Sequence, residues 1–302
     1  MNGSTDPKLT IVVICFNMQR EAQRTLYSLS CDYQRGVSPS EYQVIVIDNN
    51  SSSPLNREFV EGFGENFEYH FFNTKSVSPA EAINFGADLA KGKMLSCIVD
   101  GARILSPGVV QNSLLAAETF DNPLVMTLAW HLGPKEQNFS MLEGYDQAEE
   151  DQLLASVNWQ DDGYKLFDVS TQASSSKVGI KGGIPEELSY FTIKKSLFLE
   201  LGGFCDQFQS PGGGLINHDF LQRAMRVDEL DLVMLVGEGS FHQFHGGIAT
   251  NAKPENNPWA LFAQEYLNIR GAEFKLLTQP ASTDINYIGS IPQSAQRFIN
   301  TE

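Results

Sequence analysis

Cys97-Ile98-Val99-Asp100-Gly101-Ala102-Arg103-Ile104-Leu105-Ser106-Pro107 opens as a short apolar run and is punctuated by glycine and proline, the pattern of a buried strand. It delivers one carboxylate, Asp100, to the strand's C-terminal end. In open α/β sheets ligands bind outside that edge. An Asp before a Gly also starts many turns, so the flanking segments decide which role Asp100 has.

Upstream, Leu9 to Phe16 is rich in β-branched residues and almost wholly apolar, as in a central parallel strand covered on both faces. Ala22, Leu26 and Leu29 follow at helical spacing, and Tyr42 to Ile47 is a second apolar run ending in Asp48-Asn49-Asn50-Ser51. Strand, helix and strand in this order make a βαβ unit. The first turn, Phe16-Asn17-Met18-Gln19-Arg20, has no glycine, which argues against a dinucleotide fold, where the backbone must approach a pyrophosphate. Phe67 to Phe72 predicts a third strand. Ser78-Pro79 opens a helix carrying Ala82, Ile83, Phe85 and Leu89, and Met94 to Val99 predicts the fourth strand.

The 302 residues suffice for one large α/β domain, and the formal net charge of -16 disfavours a nucleic-acid partner, which would need lysine and arginine. The four cysteines, Cys15, Cys31, Cys97 and Cys205, have no metal-site spacing and read as reduced thiols. Met1 to Lys8 lacks the apolar stretch of a signal peptide, and no segment has the ~20 apolar residues of a membrane span. The expectation is a cytoplasmic protein, with peripheral membrane contact left open.

Four features in order resemble the family 2 glycosyltransferases: the strand ending in Phe16-Asn17; Val46-Ile47-Asp48-Asn49-Asn50-Ser51; Ala82-Ile83-Asn84-Phe85-Gly86 with Ala90-Lys91-Gly92; and Val99-Asp100 with Ser106-Pro107-Gly108. The resemblance implies the GT-A fold, an α/β architecture with a mostly parallel central sheet flanked by helices. A nucleotide-sugar-binding half, 1–115, would be joined to an acceptor-binding half, 116–250, with a C-terminal helix and tail at 251–302. It also implies transfer of a sugar from a UDP- or GDP-sugar to a glycan or other hydroxyl acceptor. Nucleotide-binding positions carried over are Phe16, Asn17, Asp48, Asn84, Asp100 and Arg103.

The chain departs from the family at two places. Ala102 stands where the second, metal-binding Asp of the D-x-D motif is usual, so a divalent cation, Mn²⁺ or Mg²⁺, would be weakly held by Asp100 alone. Arg103 is placed to neutralise a diphosphate directly. In the second half the resemblance resumes at Ser189 to Lys195, Leu201 to Phe208 and Pro211 to Arg223. Counting back from Arg223, Asn217 occupies the usual place of the base and Asp219 that of the following acid. Asp219 and His218 are therefore the candidate catalytic residues, and Gly213, Gly214 and Asn217 the acceptor-binding ones. A neutral residue at the base position also occurs in retaining relatives such as the polypeptide N-acetylgalactosaminyltransferases. Inversion rests on the family alone, and a catalytically degenerate sugar-nucleotide binder stays open as an alternative. A sugar nucleotidyltransferase ranks last, because the glycine-rich basic loop it needs is absent at Asn17 to Arg20.

Three of the five histidines fall between His218 and His245. In His242-Gln243-Phe244-His245-Gly246-Gly247 an extended chain would point His242 and His245 to opposite faces, leaving one towards the cleft. GT-A enzymes place a late His on the metal, and the resemblance implies His245 in that role beside Asp100. Ser170 to Gly183 reads as a mobile loop, Glu149-Glu150-Asp151 as a solvated face, Trp259 to Leu267 as an amphipathic helix after Pro254, and the last ~20 residues as poorly ordered. A second copy of the chain is kept open as a partner.

Overall fold

The computed structural model describes residues 6–248, 250–251, 256–277 and 284–299. Met1 to Thr5 and Pro254 lie outside them. Among the described residues ten strands form one sheet: β1 (Leu9–Cys15), β2 (Tyr42–Asp48), β3 (Phe67–Phe71), β4 (Met94–Ile98), β5 (Arg103–Leu105), β6 (Pro123–Leu132), β7 (Ser170–Gln172), β8 (Phe191–Lys194), β9 (Asp231–His242) and β10 (Ile285–Ile288). Their order is β10-β9-β6-β8-β4-β1-β2-β3, with β5 on β9 and β7 on β6.

β1, β2, β3 and β4 pair in parallel, as do β6, β9 and β10; β8 joins the two groups by antiparallel pairing to both β4 and β6. The apolar runs are explained by two-sided burial. Val12 and Ile14 of β1, with Ile45 and Ile47 of β2, enter one core, while Ile11, Val13, Val44 and Val46 enter the other. The helix Ala80–Leu89 covers the first core with Ile83 and Ala87, and Gln19–Leu29 covers the second with Ala22, Leu26 and Leu29. At Gly86 a Cβ would lie 2.5 Å from Val12, so the helix sits against β1 only because that side chain is absent.

β9 runs on to His242 because β6 and β5 continue to supply hydrogen-bonding edges beyond a bulge at Thr127/Leu128. Three expectations change. Ser170 to Gly183 holds β7, a 3₁₀ turn and the short helix Lys177–Ile180 rather than a loop without structure. The C-terminal tail, read as poorly ordered, adds β10 to the sheet and packs Phe298 edge-on to Trp130. Glu150, read as solvated, is fully buried on Arg20 and Arg24. The cysteines are free thiols, and among the described residues no helix is long and apolar enough to cross a membrane.

Candidate active site

The C-terminal ends of β1 and β4 open onto a cavity of about 450 Å³. Its walls include Phe16, Asp100, Arg103, Glu187, Asn217, His218, Gly214 and His245. The two halves of the chain thus meet at one edge of the sheet. Three consecutive glycines shape one wall: Gly212, Gly213 and Gly214 have φ of 72°, 89° and 54°. Gly214 pairs that φ with ψ −117°, a conformation reserved for a residue without Cβ.

At the cavity's edge β4 ends and Asp100 turns the chain, its Oδ1 accepting the Ala102 N–H at 3.1 Å. Its Oδ2 lies 2.8 Å from His242 Nε2 and 3.3 Å from His245 Nε2. The two imidazole Nε2 atoms are 3.3 Å apart. These three ligand atoms lie within 4.8 Å of one another. His242 closes β9, and the chain bends at once so that His245 comes back to the same carboxylate. Extended alternation would have separated the two rings; the bend after β9 brings them together, which is why His242 went unassigned from sequence.

Gln137 fixes the state of His242. Its Nε2 donates to the His242 carbonyl oxygen at 2.9 Å, which turns its Oε1 toward His242 Nδ1 at 2.8 Å. Asn251 Nδ2 also donates to that Oε1. The hydrogen-bond network therefore assigns the proton to Nδ1 and leaves the Nε2 lone pair facing Asp100. Burial lowers the His242 pKa to about 4, so a second proton on the ring is disfavoured. Asp100 is held well below the usual carboxylate range: burial opposes this, and the two imidazoles outweigh it. The His242 Nε2 lone pair, the His245 Nε2 once its proton is displaced, and the carboxylate oxygen between them make the donor set of a divalent-cation site, and the separations suit bonds of about 2.1 Å. Asp100, His242 and His245 thus fit such an ion, His242 taking the place that Ala102 leaves empty of a carboxylate.

Arg103 enters from β5 with 9 % exposure, and its guanidinium donates to Ser240 Oγ at 3.4 Å. Among the described residues it forms no ion pair. A buried cation on the wall of a cavity, next to a metal-type donor set, is suited to an anionic ligand.

Several sequence assignments move. Asp48 is fully buried and off the cavity wall; its oxygens accept the N–H groups of Ser51 and Leu55, tying the loop after β2. Asn17 has its Oδ1 engaged by Ser52 and Ser53 and braces the same loop. Asn84 clamps the Phe204 backbone from both sides, donating to its carbonyl and accepting its N–H. Gly213 lies beneath the wall, where a Cβ would meet Ile216 at 2.5 Å, whereas Gly212 faces the cavity. Asp219 is 2 % exposed and consumed by Arg223 and Arg270, at 2.9 and 2.6 Å. A carboxylate locked between two guanidiniums has no open oxygen for an acceptor proton, so the structure places Asp219 in the scaffold. Asn217 and His218 do line the cavity, with Asn217 Nδ2 donating to the Leu188 carbonyl at 2.5 Å.

A mostly parallel sheet flanked by helices, with its two parallel groups joined by the antiparallel β8 and a cavity at the carboxyl ends of β1 and β4, is the GT-A fold. The family profile described as Glycosyl transferase family 2 matches residues 10–127. Among solved structures, S. aureus TarS is similar over 86 % of this chain and 40 % of its own, with 14 % identity and a TM-score of 0.52. TarS 1–349 in complex with UDP-GlcNAc is similar over 86 % of this chain and 67 % of that one, with 13 % identity and a TM-score of 0.51. The chain therefore spans two fifths of full TarS. No curated protein sequence matches it.

Proposed function

We propose that this chain transfers a sugar from a nucleoside diphosphate sugar, of the UDP or GDP type, to a hydroxyl acceptor. Asp100, His245 and the buried Arg103 on one cavity wall, with His242 behind them on the same carboxylate, carry the reading. The family 2 match over residues 10–127 and the resemblance to TarS, solved with UDP-GlcNAc, support it. Residues 1–115 would hold the nucleotide, with Phe16 against the base and Asp100 beside the ribose and the cation. Residues 116–250 would present the acceptor over Gly212 and Gly214, and the helix Trp259–Arg270 would close the wall through Phe262.

Two imidazoles with one carboxylate favour Mn²⁺ over Mg²⁺, which prefers an all-oxygen shell. A bound divalent cation supplies positive charge to the diphosphate oxygens. Arg103 donates N–H groups to the same leaving group, where negative charge grows as the glycosidic bond breaks, so its effect falls on the transition state. Inversion at the anomeric carbon follows from the family resemblance.

Calorimetric binding of UDP and GDP, each with and without Mn²⁺, to wild type and His245→Ala tests the site. Mn²⁺ should strengthen binding to wild type, and that gain should vanish in His245→Ala. Failure of both nucleotides to bind would overturn the proposal. A second reading, a nucleotide-sugar binder without turnover, is favoured by Ala102 and by the amide at Asn217. Nucleotide binding without release of nucleoside diphosphate from any UDP- or GDP-sugar would select it.

A further inference from the structure

We propose that Glu187 is the general base that takes the proton from the acceptor hydroxyl, a role that rests on the transferase reading above. Deprotonation of the acceptor needs a carboxylate or imidazole facing the cavity with an oxygen or nitrogen to spare. Among the described residues, Asp100 and Glu187 are the carboxylates on the cavity wall. Asp100 is committed to His242 and His245. Asp219 is sealed between Arg223 and Arg270. Asn217, at the place where the family's base is usual, carries an amide that cannot take a proton.

His218 also lines the cavity, but its ring is wedged edge-on against Trp259 and Phe274, with Nδ1 buried and unpartnered. Burial lowers its pKa and so weakens it as a base.

Glu187 sits on the opposite footing. It is partly exposed, and its Oε1 accepts a hydrogen bond from Ser175 Oγ at 3.0 Å, which holds the side chain without neutralising it. The next residue, Leu188, has its carbonyl gripped by Asn217 Nδ2. The amide at Asn217 thus anchors the backbone that carries the new carboxylate, and the acid function has moved from the Ile216–Ala224 helix to the segment before β8. Ser175 belongs to the stretch read from sequence as a loop, so that segment orients the base.

In the step, the acceptor O–H proton passes to the Glu187 carboxylate as the acceptor oxygen bonds to the anomeric carbon. The bond from that carbon to the diphosphate oxygen breaks, its electron pair leaves with the nucleoside diphosphate, and Glu187 then returns the proton to solvent.

Wild type, Glu187→Gln and Glu187→Asp are compared with UDP-GlcNAc, UDP-glucose, UDP-galactose and GDP-mannose, with Mn²⁺ present. UDP and GDP binding is measured alongside nucleotide release, with water and simple glycosides as acceptors. Glu187→Gln should bind nucleotide within about twofold of wild type and lose about 10²- to 10⁴-fold in kcat. Glu187→Asp, which keeps a carboxylate, should recover part of that loss. Turnover by Glu187→Gln within about threefold of an active wild type removes Glu187 from the chemistry and leaves the transferase reading standing. Loss of nucleotide binding in step with turnover would make Glu187 a structural residue. A wild type that binds nucleotide and releases none from any donor overturns both proposals together.

Discussion

Gln137 grips His242 at two points, its Nε2 on the backbone carbonyl at 2.9 Å and its Oε1 on the ring Nδ1 at 2.8 Å. The amide is fully buried, and the helix that carries it, Gln137–Ser140, is a single turn. The pair sets the face that His242 turns to Asp100. Removing the oxygen frees the ring to protonate at Nε2, where it would donate to Asp100 and block a cation. Gln137→Leu should weaken Mn²⁺ binding by about 10- to 100-fold. Gln137→Glu keeps an acceptor at Nδ1 and should stay nearer wild type. Electron paramagnetic resonance titration of free Mn²⁺ gives both affinities, and ¹⁵N shifts of the imidazole report the tautomer without metal. Equal affinities in wild type and Gln137→Leu would show that the contact is structural only.

The two histidines differ in how they compete with protons. Burial puts His242 at about 4, so it is neutral across the working range. His245 is partly buried, which by itself would lower it, but the Asp100 carboxylate outweighs this and raises it above the ordinary value of 6.5. A cation must displace the His245 proton. Mn²⁺ affinity should therefore fall as pH drops below the raised His245 value and level off above it. Calorimetry in two buffers of different ionisation enthalpy should find about one proton released on the acid side. A flat affinity between roughly pH 5.5 and 8.5 would exclude His245 as a ligand.

Arg103 offers a test of the anionic ligand that does not depend on turnover. Charge-assisted hydrogen bonds contribute about 1.5–3 kcal/mol each, so Arg103→Met, which keeps much of the apolar stem, should weaken UDP binding by about 10- to 100-fold. Dependence on added Mn²⁺ should rise at the same time, since one of two cationic partners is gone. Identical Mn²⁺ titrations of UDP binding for the two proteins would separate Arg103 from the diphosphate.

What was legible in the sequence is the part that periodicity controls. The runs at Leu9, Tyr42 and Met94 are almost wholly apolar because both faces of their strands are covered, and they surfaced where expected, with the cavity at the carboxyl ends of the first and third. Asp100 emerged as a candidate from its place at a strand end and His245 from the family resemblance. His242 did not, because alternation along a strand holds only while the strand continues, and the bend after β9 is set by contacts with residues far away in sequence. Phe244, in that bend, donates its N–H to Glu150 at 2.7 Å, and Glu150 is itself held by Arg20. Glu187 carries no motif and becomes visible only once the cavity wall is assembled. Asp48 and Asn84 matched family positions, yet in this chain their polar atoms are spent on backbone groups, which no spacing reveals.

Asp219 separates a structural acid from a catalytic one. Arg223 reaches it from one turn along the same helix and Arg270 from the Trp259–Arg270 helix, through contacts of 2.6 to 2.9 Å. Arg223 also donates to the carbonyls of Leu201 and Gly203, so one carboxylate ties three segments together. Asp219→Ala leaves both guanidiniums without their anion. The expected cost is about 3 kcal/mol, the low end for breaking a buried pair, because the Arg270 side chain is 31 % exposed. Chemical denaturation should show that loss as a lower midpoint with an unchanged slope. Asp219→Asn retains one carbonyl oxygen for the arginines, and its kcat, per folded molecule, should remain within about threefold of wild type. General-base catalysis by Asp219 would demand a drop of about 10²- to 10⁴-fold instead. A fall of that size in a fully folded Asp219→Asn would return the acid to the mechanism, against the ion pairs that enclose it.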